Sequence, residues 1–139
     1  MTVKKLCITL LFLLGSTPVL AETPQELLAV YSAEAVQAQR GFVPSAERGK
    51  ALFAKDWGVS KEMPNCTSCH TRDIAAGGKH VITGKPIGPL APSANPERFT
   101  SAKKVAKWFK RNCTEVIGRE CTAVEKADFI QFVTQGGRI

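Results

Sequence analysis

Asn65-Cys66-Thr67-Ser68-Cys69-His70 gathers two thiols and an imidazole within six residues. Two cysteines separated by two residues can bond to the two vinyl groups on one edge of a porphyrin, and the histidine that follows is delivered beneath the iron. The motif reads as a haem c attachment site, with Cys66 and Cys69 as covalent tethers and His70 as the proximal iron ligand. A redox dithiol would be expected within a βαβ pattern, and a structural zinc site would need further ligands. Neither pattern is present.

The start of the 139-residue chain gives this site an exported context. Met1-Thr2-Val3-Lys4-Lys5 is a short basic region, Leu6 to Leu14 an apolar run, and Val19-Leu20-Ala21 a small-residue end. This is the layout of a secretory signal cleaved after Ala21, which removes Cys7 and Met1. A membrane span needs about 20 apolar residues, and Gly15-Ser16-Thr17-Pro18 interrupts the run too early. The expected location is the periplasm.

The formal net charge of +7 falls to +5 once Lys4 and Lys5 are gone. Lys103, Lys104, Lys107, Lys110 and Arg111 cluster on or near one helix, which suits docking to an acidic redox partner or simply solvates that face. Export argues against a nucleic-acid partner, and a monomer is expected. Of five cysteines, Cys7 leaves and two hold haem, so Cys113 and Cys121 remain. In an oxidising compartment that pair reads as a disulfide, worth about 2.5 kcal/mol in the loop-entropy model.

The positioning elements follow from apolar spacing. Glu22 to Gln39 predicts a helix capped by Thr23, with Leu27, Leu28, Tyr31, Ala35 and Ala38 at helical intervals. Ser45 opens a second helix in which Gly49-x-x-x-Phe53 puts a glycine and an aromatic on one face. This pattern resembles the N-terminal helix of class I cytochromes c, where the two residues would pack on the last helix, here Val124 to Gln135 with Phe129 and Phe132. Thr71 to Lys85 is polar and glycine-rich and predicts a loop with a short helical turn. Pro89 lies where a class I cytochrome offers a backbone carbonyl to the proximal histidine's second nitrogen. From Ser101 a helix with Val105, Trp108 and Phe109 on one side is expected to end at Arg111-Asn112-Cys113. Thr122 with Glu125 marks the start of the terminal helix.

The sixth iron ligand decides function, because a strong ligand makes an electron carrier and a weak one leaves room for a gas. Met63 precedes Cys66 by three residues, too close to reach the opposite face, so His/Met ligation is excluded. His80 lies ten residues after His70 in a loop, where it is either a second axial imidazole or a solvent-exposed loop histidine. Asn112 at a helix end is ordinarily a cap or turn residue, yet it directly precedes Cys113, whose disulfide would stiffen it. The residues alone leave His80 and Asn112 both open.

Cys66-Thr67-Ser68-Cys69-His70, Ile87-Gly88-Pro89-Leu90-Ala91-Pro92-Ser93-Ala94-Asn95-Pro96-Glu97-Arg98-Phe99 and Trp108-Phe109-Lys110-Arg111-Asn112-Cys113 with Cys121 together resemble the sphaeroides haem protein family. Those are oxygen-binding class I cytochromes c, and the resemblance spans about Ala46 to Val133. It implies an all-α class I cytochrome c fold, one haem c wrapped by four to five helices. It also implies Asn112 as a displaceable distal ligand, with the Cys113–Cys121 disulfide beside it. The resemblance further implies binding of O2, NO or CO, and a dihaem cytochrome c with a membrane cytochrome b as electron donors. The expected organisation is a signal at 1–21, a helical extension at 22–44 and a cytochrome c domain at 45–139. A plain low-spin carrier with His/His ligation is the alternative. Turnover of the bound gas, such as nitric oxide oxidised to nitrate, is a further rival, for which no dedicated acid-base pair is evident.

Overall fold

Each long helix begins where a hydroxyl side chain can catch the unpaired N–H groups of a first turn. The computed structural model describes residues 22–136, so the signal reading over 1–21, with Cys7 and Met1, lies outside the described residues. Helix α1 (Pro24–Ala38) starts at a capping box formed by Thr23 and Glu26, and α2 (Ala46–Ala54) is capped by Ser45. The single turn α3 (Thr67–His70) carries the attachment motif. Helix α4 (Ala102–Ile117) is capped by Ser101, and α5 (Ala123–Thr134) starts at the Thr122–Glu125 capping box. No helix among the described residues is long and apolar enough to cross a membrane.

Two stretches differ from expectation. The segment after the motif is not a loop with a helical turn. It forms a hairpin of β1 (Gly78–Lys79) and β2 (Pro86–Ile87), antiparallel, with Gly78 opposite Ile87. The hairpin packs against α3, whose backbone leaves room only for a glycine there. Helix α4, expected to end at Asn112-Cys113, runs on to Ile117 and closes at Gly118, whose φ of +80° suits a residue without Cβ. The extra turn is held by buried Val116 and Ile117 and by an Arg111–Glu115 pair at 2.9 Å. Asn112 is therefore a helix-interior residue.

The scaffold is the crossing of α2 over α5. Gly49 lies against the α5 backbone, where an added Cβ would stand 2.1 Å from the Asp128 carbonyl oxygen. Phe53, four residues on, is 1% exposed and lies 5.9 Å from Phe129 and 5.8 Å from Phe132, centroid to centroid. Beside this contact the buried Asp128 carboxylate accepts hydrogen bonds from Arg48 Nε at 2.7 Å, Arg48 Nη2 at 2.8 Å and Ser45 N–H at 2.7 Å. Arg48→Ala would strip two of those donors from a carboxylate that has left water, so a loss of about 1–3 kcal/mol is expected in denaturant unfolding. An unchanged midpoint would mean that solvent reaches Asp128.

The segment at 22–44 shares the central core. Leu27, Tyr31 and Ala35 are buried together with Phe42, Val105, Phe109 and Ile130, and Tyr31 meets Phe109 edge-on at 5.6 Å. The Glu22 carboxylate also accepts the Ala102 N–H at the start of α4. Helix α1 thus packs against α5 and touches α4 through Tyr31, with the preceding Glu22 at the start of α4.

Candidate functional site

The attachment turn is prepared by the residue that precedes it. Asn65 Oδ1 accepts from Thr67 Oγ1 at 2.6 Å, Ser68 N–H at 3.1 Å and Ser68 Oγ at 3.1 Å, fixing the first peptide units of α3. The Cys66 carbonyl then accepts from Cys69 N–H at 3.3 Å and His70 N–H at 3.1 Å. Both thiols and the imidazole are thereby borne on one helical turn. Thr71, at φ +62°, ends it.

Electrostatics favour metal over thiol redox chemistry. Burial, then the neighbouring Cys69, pushes the Cys66 thiol up to about 12, the opposite of the depressed value a reactive dithiol needs. Burial, then the charges of Arg98 and His80, lowers His70 to about 4, so its imidazole is neutral at pH 7, the form that iron takes. Cys113 and Cys121 form the expected disulfide, with Cα atoms 5.6 Å apart, while Cys66 and Cys69 remain as thiols. Among the described residues no three His, Cys, Asp or Glu side chains converge as a metal site, so a zinc reading finds no ligand set. Two unpaired thiols at the right spacing with an adjoining neutral imidazole fit a c-type haem.

Aromatic rings back the motif. His70 lies 6.2 Å from Phe53, Phe53 lies 5.9 Å from Phe129, and Phe129 meets Phe109 of α4 at 5.7 Å. Cys66, Phe99 and Phe129 pack against both halves of the core. The next turn of α4 beyond Phe109 carries Asn112, which is exposed, between Trp108, 46% exposed, and buried Cys113.

The other candidates gather near α3. Gly78 lies on the motif's backbone, where a Cβ would meet the Cys69 carbonyl oxygen at 2.0 Å, and Val81 N–H points at Cys69 Sγ from 3.5 Å. His80 Nδ1 accepts the N–H groups of Ile82 and Thr83, both at 3.3 Å, so one ring nitrogen is committed to the hairpin turn. Met63 packs into the core cluster beside Cys66. The Pro89 carbonyl, expected to face the proximal histidine, accepts from Arg98 Nε at 2.8 Å and Asn95 Nδ2 at 3.4 Å.

Known proteins share the sequence and fold of this chain. Residues 39–133 match a family model described as a domain of unknown function, DUF1924. The cytochrome c-type protein SHP of Cereibacter sphaeroides is 46% identical over 112 residues, covering 80% of this chain and 82% of that protein. The chain belongs to the SHP family of c-type cytochromes.

Cytochrome c'' of Methylophilus methylotrophus is a further relative, 41% identical over 91 residues, 65% of this chain and 63% of that one. The structure of oxidized SHP, an oxygen-binding cytochrome c, superposes with a TM-score of 0.75 at 45% identity, over 83% of this chain and 98% of that one. Oxidized cytochrome c'' superposes at 0.72 with 34% identity, over 83% and 95%. The helical cytochrome fold expected from the sequence is therefore the fold of the family, and haem c is the cofactor that SHP-type chains imply. Three residues were given no structural role by the sequence reading. Asn65 was legible as an Asx cap just before a helical turn, and Gly78 as half of a Gly-Gly pair. Arg98, in an irregular turn, carries no local signal.

Proposed function

We propose that this chain is an exported, periplasmic monohaem cytochrome c that accepts electrons and reversibly binds a diatomic gas. Cys66 and Cys69 would tether the haem, His70 would hold the iron from one side, and the Asn112 amide would occupy the other until displaced. The haem supplies an iron that changes oxidation state and takes a diatomic ligand.

The observation that carries this reading is the setting of Asn112. It stands exposed on a helix pinned on one side by the Cys113–Cys121 disulfide and backed by the ring ladder from Phe109 to His70. Its competitors are engaged elsewhere, Met63 in the core beside Cys66 and His80 in the hairpin turn next to Cys69. An amide oxygen is a hard neutral donor, tolerable to ferric iron and poor for softer ferrous iron, so reduction would release Asn112 and free the position. The description of SHP as an oxygen-binding cytochrome supports gas binding, and that of M. methylotrophus cytochrome c'' in terms of haem-ligand detachment supports a labile sixth ligand. Electrons would arrive from a dihaem cytochrome c and a membrane cytochrome b, and the basic side of α4 suits an acidic donor.

The test is an optical spectrum of the purified holoprotein, oxidised and reduced, before and after carbon monoxide, on the unmodified chain and on His80→Ala. A high-spin ferrous form that binds the gas fully, with His80→Ala indistinguishable, is expected. A low-spin ferrous form untouched by the gas, lost in His80→Ala, would instead establish His/His ligation and plain electron transfer.

A further inference from the structure

The hairpin after the attachment motif carries a surface that haem binding does not use. Val81 and Ile82 at its tip are 44% and 61% exposed, and among the described residues no other two large apolar side chains this exposed are neighbours in sequence. The tip is not a slack loop. His80 N–H donates to the Lys85 carbonyl at 2.9 Å, Gly84 N–H donates to the His80 carbonyl at 2.8 Å, and His80 Nδ1 accepts from Ile82 and Thr83 N–H, both at 3.3 Å. The apolar pair is therefore displayed on a fixed backbone, and a partner that covers it loses little to ordering.

The tip also sits on the tether. Val81 N–H points at Cys69 Sγ from 3.5 Å, so a body resting on Val81 and Ile82 stands beside the sulfur assigned as the second haem bond. Around the tip the charge has one sign: Lys79 and Lys85 flank it, both exposed, and residues 74–96 contain no Asp or Glu. The lysine face of α4 differs, because Lys110 and Arg111 meet Glu120 at 3.8 Å and Glu115 at 2.9 Å. An apolar pair rimmed by polar, charged groups is the build of a contact surface. Exposed side chains on a hairpin tip enclose no small molecule, and a second copy of this chain would set like charges against each other.

We propose that the hairpin tip is the docking surface for the electron-donor protein: Val81 and Ile82 form its apolar centre, Lys79 and Lys85 its basic rim, and the occupant carries an apolar patch ringed by carboxylates. The inference rests on the haem reading above and names the face its redox partner would use. Such an interface divides two tasks. Opposite charge steers the encounter, raising association by about 10- to 1,000-fold at low salt, whereas the desolvated apolar centre holds the pair together. The lysines of α4 add to the long-range field without making the contact. Docking at the tip moves one electron from the reduced donor to the oxidised holoprotein, with no bond broken and no proton transferred. It leaves the exposed Asn112 surface of α4 uncovered, so electron donor and gas need not compete.

The probe is flavodoxin, a small acidic one-electron donor. Two readouts are taken: its affinity for the holoprotein by titration calorimetry with both proteins oxidised, and the second-order rate at which its hydroquinone reduces the holoprotein. Val81→Ser/Ile82→Ser is expected to lower both by about tenfold at every ionic strength. Reduction by dithionite, which needs no docking, should stay unchanged. Lys79→Glu/Lys85→Glu is expected to lower the rate by at least about tenfold at low salt and to flatten its salt dependence. The same reversal on α4, Lys103→Glu/Lys107→Glu, should change the rate less. The two hairpin variants alter different side chains, so either one tests the surface if the other does not fold. Hairpin variants that bind and react as the unmodified protein does overturn the inference, as does an α4 reversal with the larger effect. Hairpin variants that lose sedimentation with phosphatidylglycerol vesicles while keeping flavodoxin affinity would assign the tip to a membrane surface instead. An unmodified chain that carries no covalent haem refutes the functional reading itself; haem-loaded hairpin variants with unchanged binding refute the docking surface alone.

Discussion

Gly49→Ala should cost this protein about 3 kcal/mol or more of stability, a large part of the about 5–15 kcal/mol available to a domain of this size. The new Cβ would lie 2.1 Å from the Asp128 carbonyl oxygen, 2.6 Å from its carbon and 2.9 Å from Phe132 Cβ. Two of those three atoms are backbone, so no side chain can swing aside and α2 must lift from α5. Lifting it would pull Ser45 N–H and Arg48 from the buried Asp128 carboxylate and loosen Phe53, which backs His70. The loss should therefore appear twice, as a melting temperature about 12 °C lower and as an altered haem absorption in whatever holoprotein survives. A melting temperature within about 2 °C of the unmodified chain would show that the helices separate freely and that the close crossing does not organise the site.

What was legible beforehand follows from how local each signal is. The Cys-x-x-Cys-His spacing, the cap at Thr23, the capping box at Thr122, and the pairing of Gly49 and Phe53 with the last helix are written in residues a few positions apart; the structure shows both caps and that pairing, and adds Glu26 to the Thr23 cap as a full capping box. The end of α4 was misjudged because Asn112-Cys113 looks like a stop. Val116 and Ile117 continue the buried stripe past it, so burial outweighed the poor helix propensity of asparagine. The hairpin was missed because its strands are two residues each, too short for an alternation to show, and because it is held by the motif's backbone rather than by its own sequence. Helix α1 was set aside as an extension since nothing in its own residues reveals that Tyr31 finds Phe109. Arg98 lay beyond local reading for the same reason: its partners are backbone carbonyls nine and ten residues earlier, and a backbone carbonyl leaves no mark on composition.

The substitution that discriminates most sharply between readings of the distal side is Asn112→His. An imidazole binds both oxidation states of haem iron well, whereas an amide oxygen serves ferrous iron poorly. If Asn112 faces the iron, the histidine would stay bound on reduction. The ferrous spectrum should turn from high-spin to low-spin, and carbon monoxide affinity should fall by at least about 100-fold, the equivalent of about 2.8 kcal/mol of competition from the new ligand. Asn112→Ala should do the reverse in the ferric state, opening the site without reduction. Stability sets the control. Asn112 is an exposed residue inside α4, where exchanging asparagine for alanine or histidine alters helix propensity by a few tenths of a kcal/mol. A large spectral change with nearly unchanged unfolding can come only from ligation. Should both variants keep the parent spectra and gas affinity, Asn112 is an ordinary surface residue of α4, and the sixth ligand must be sought in the second nitrogen of His80, which the hairpin leaves uncommitted.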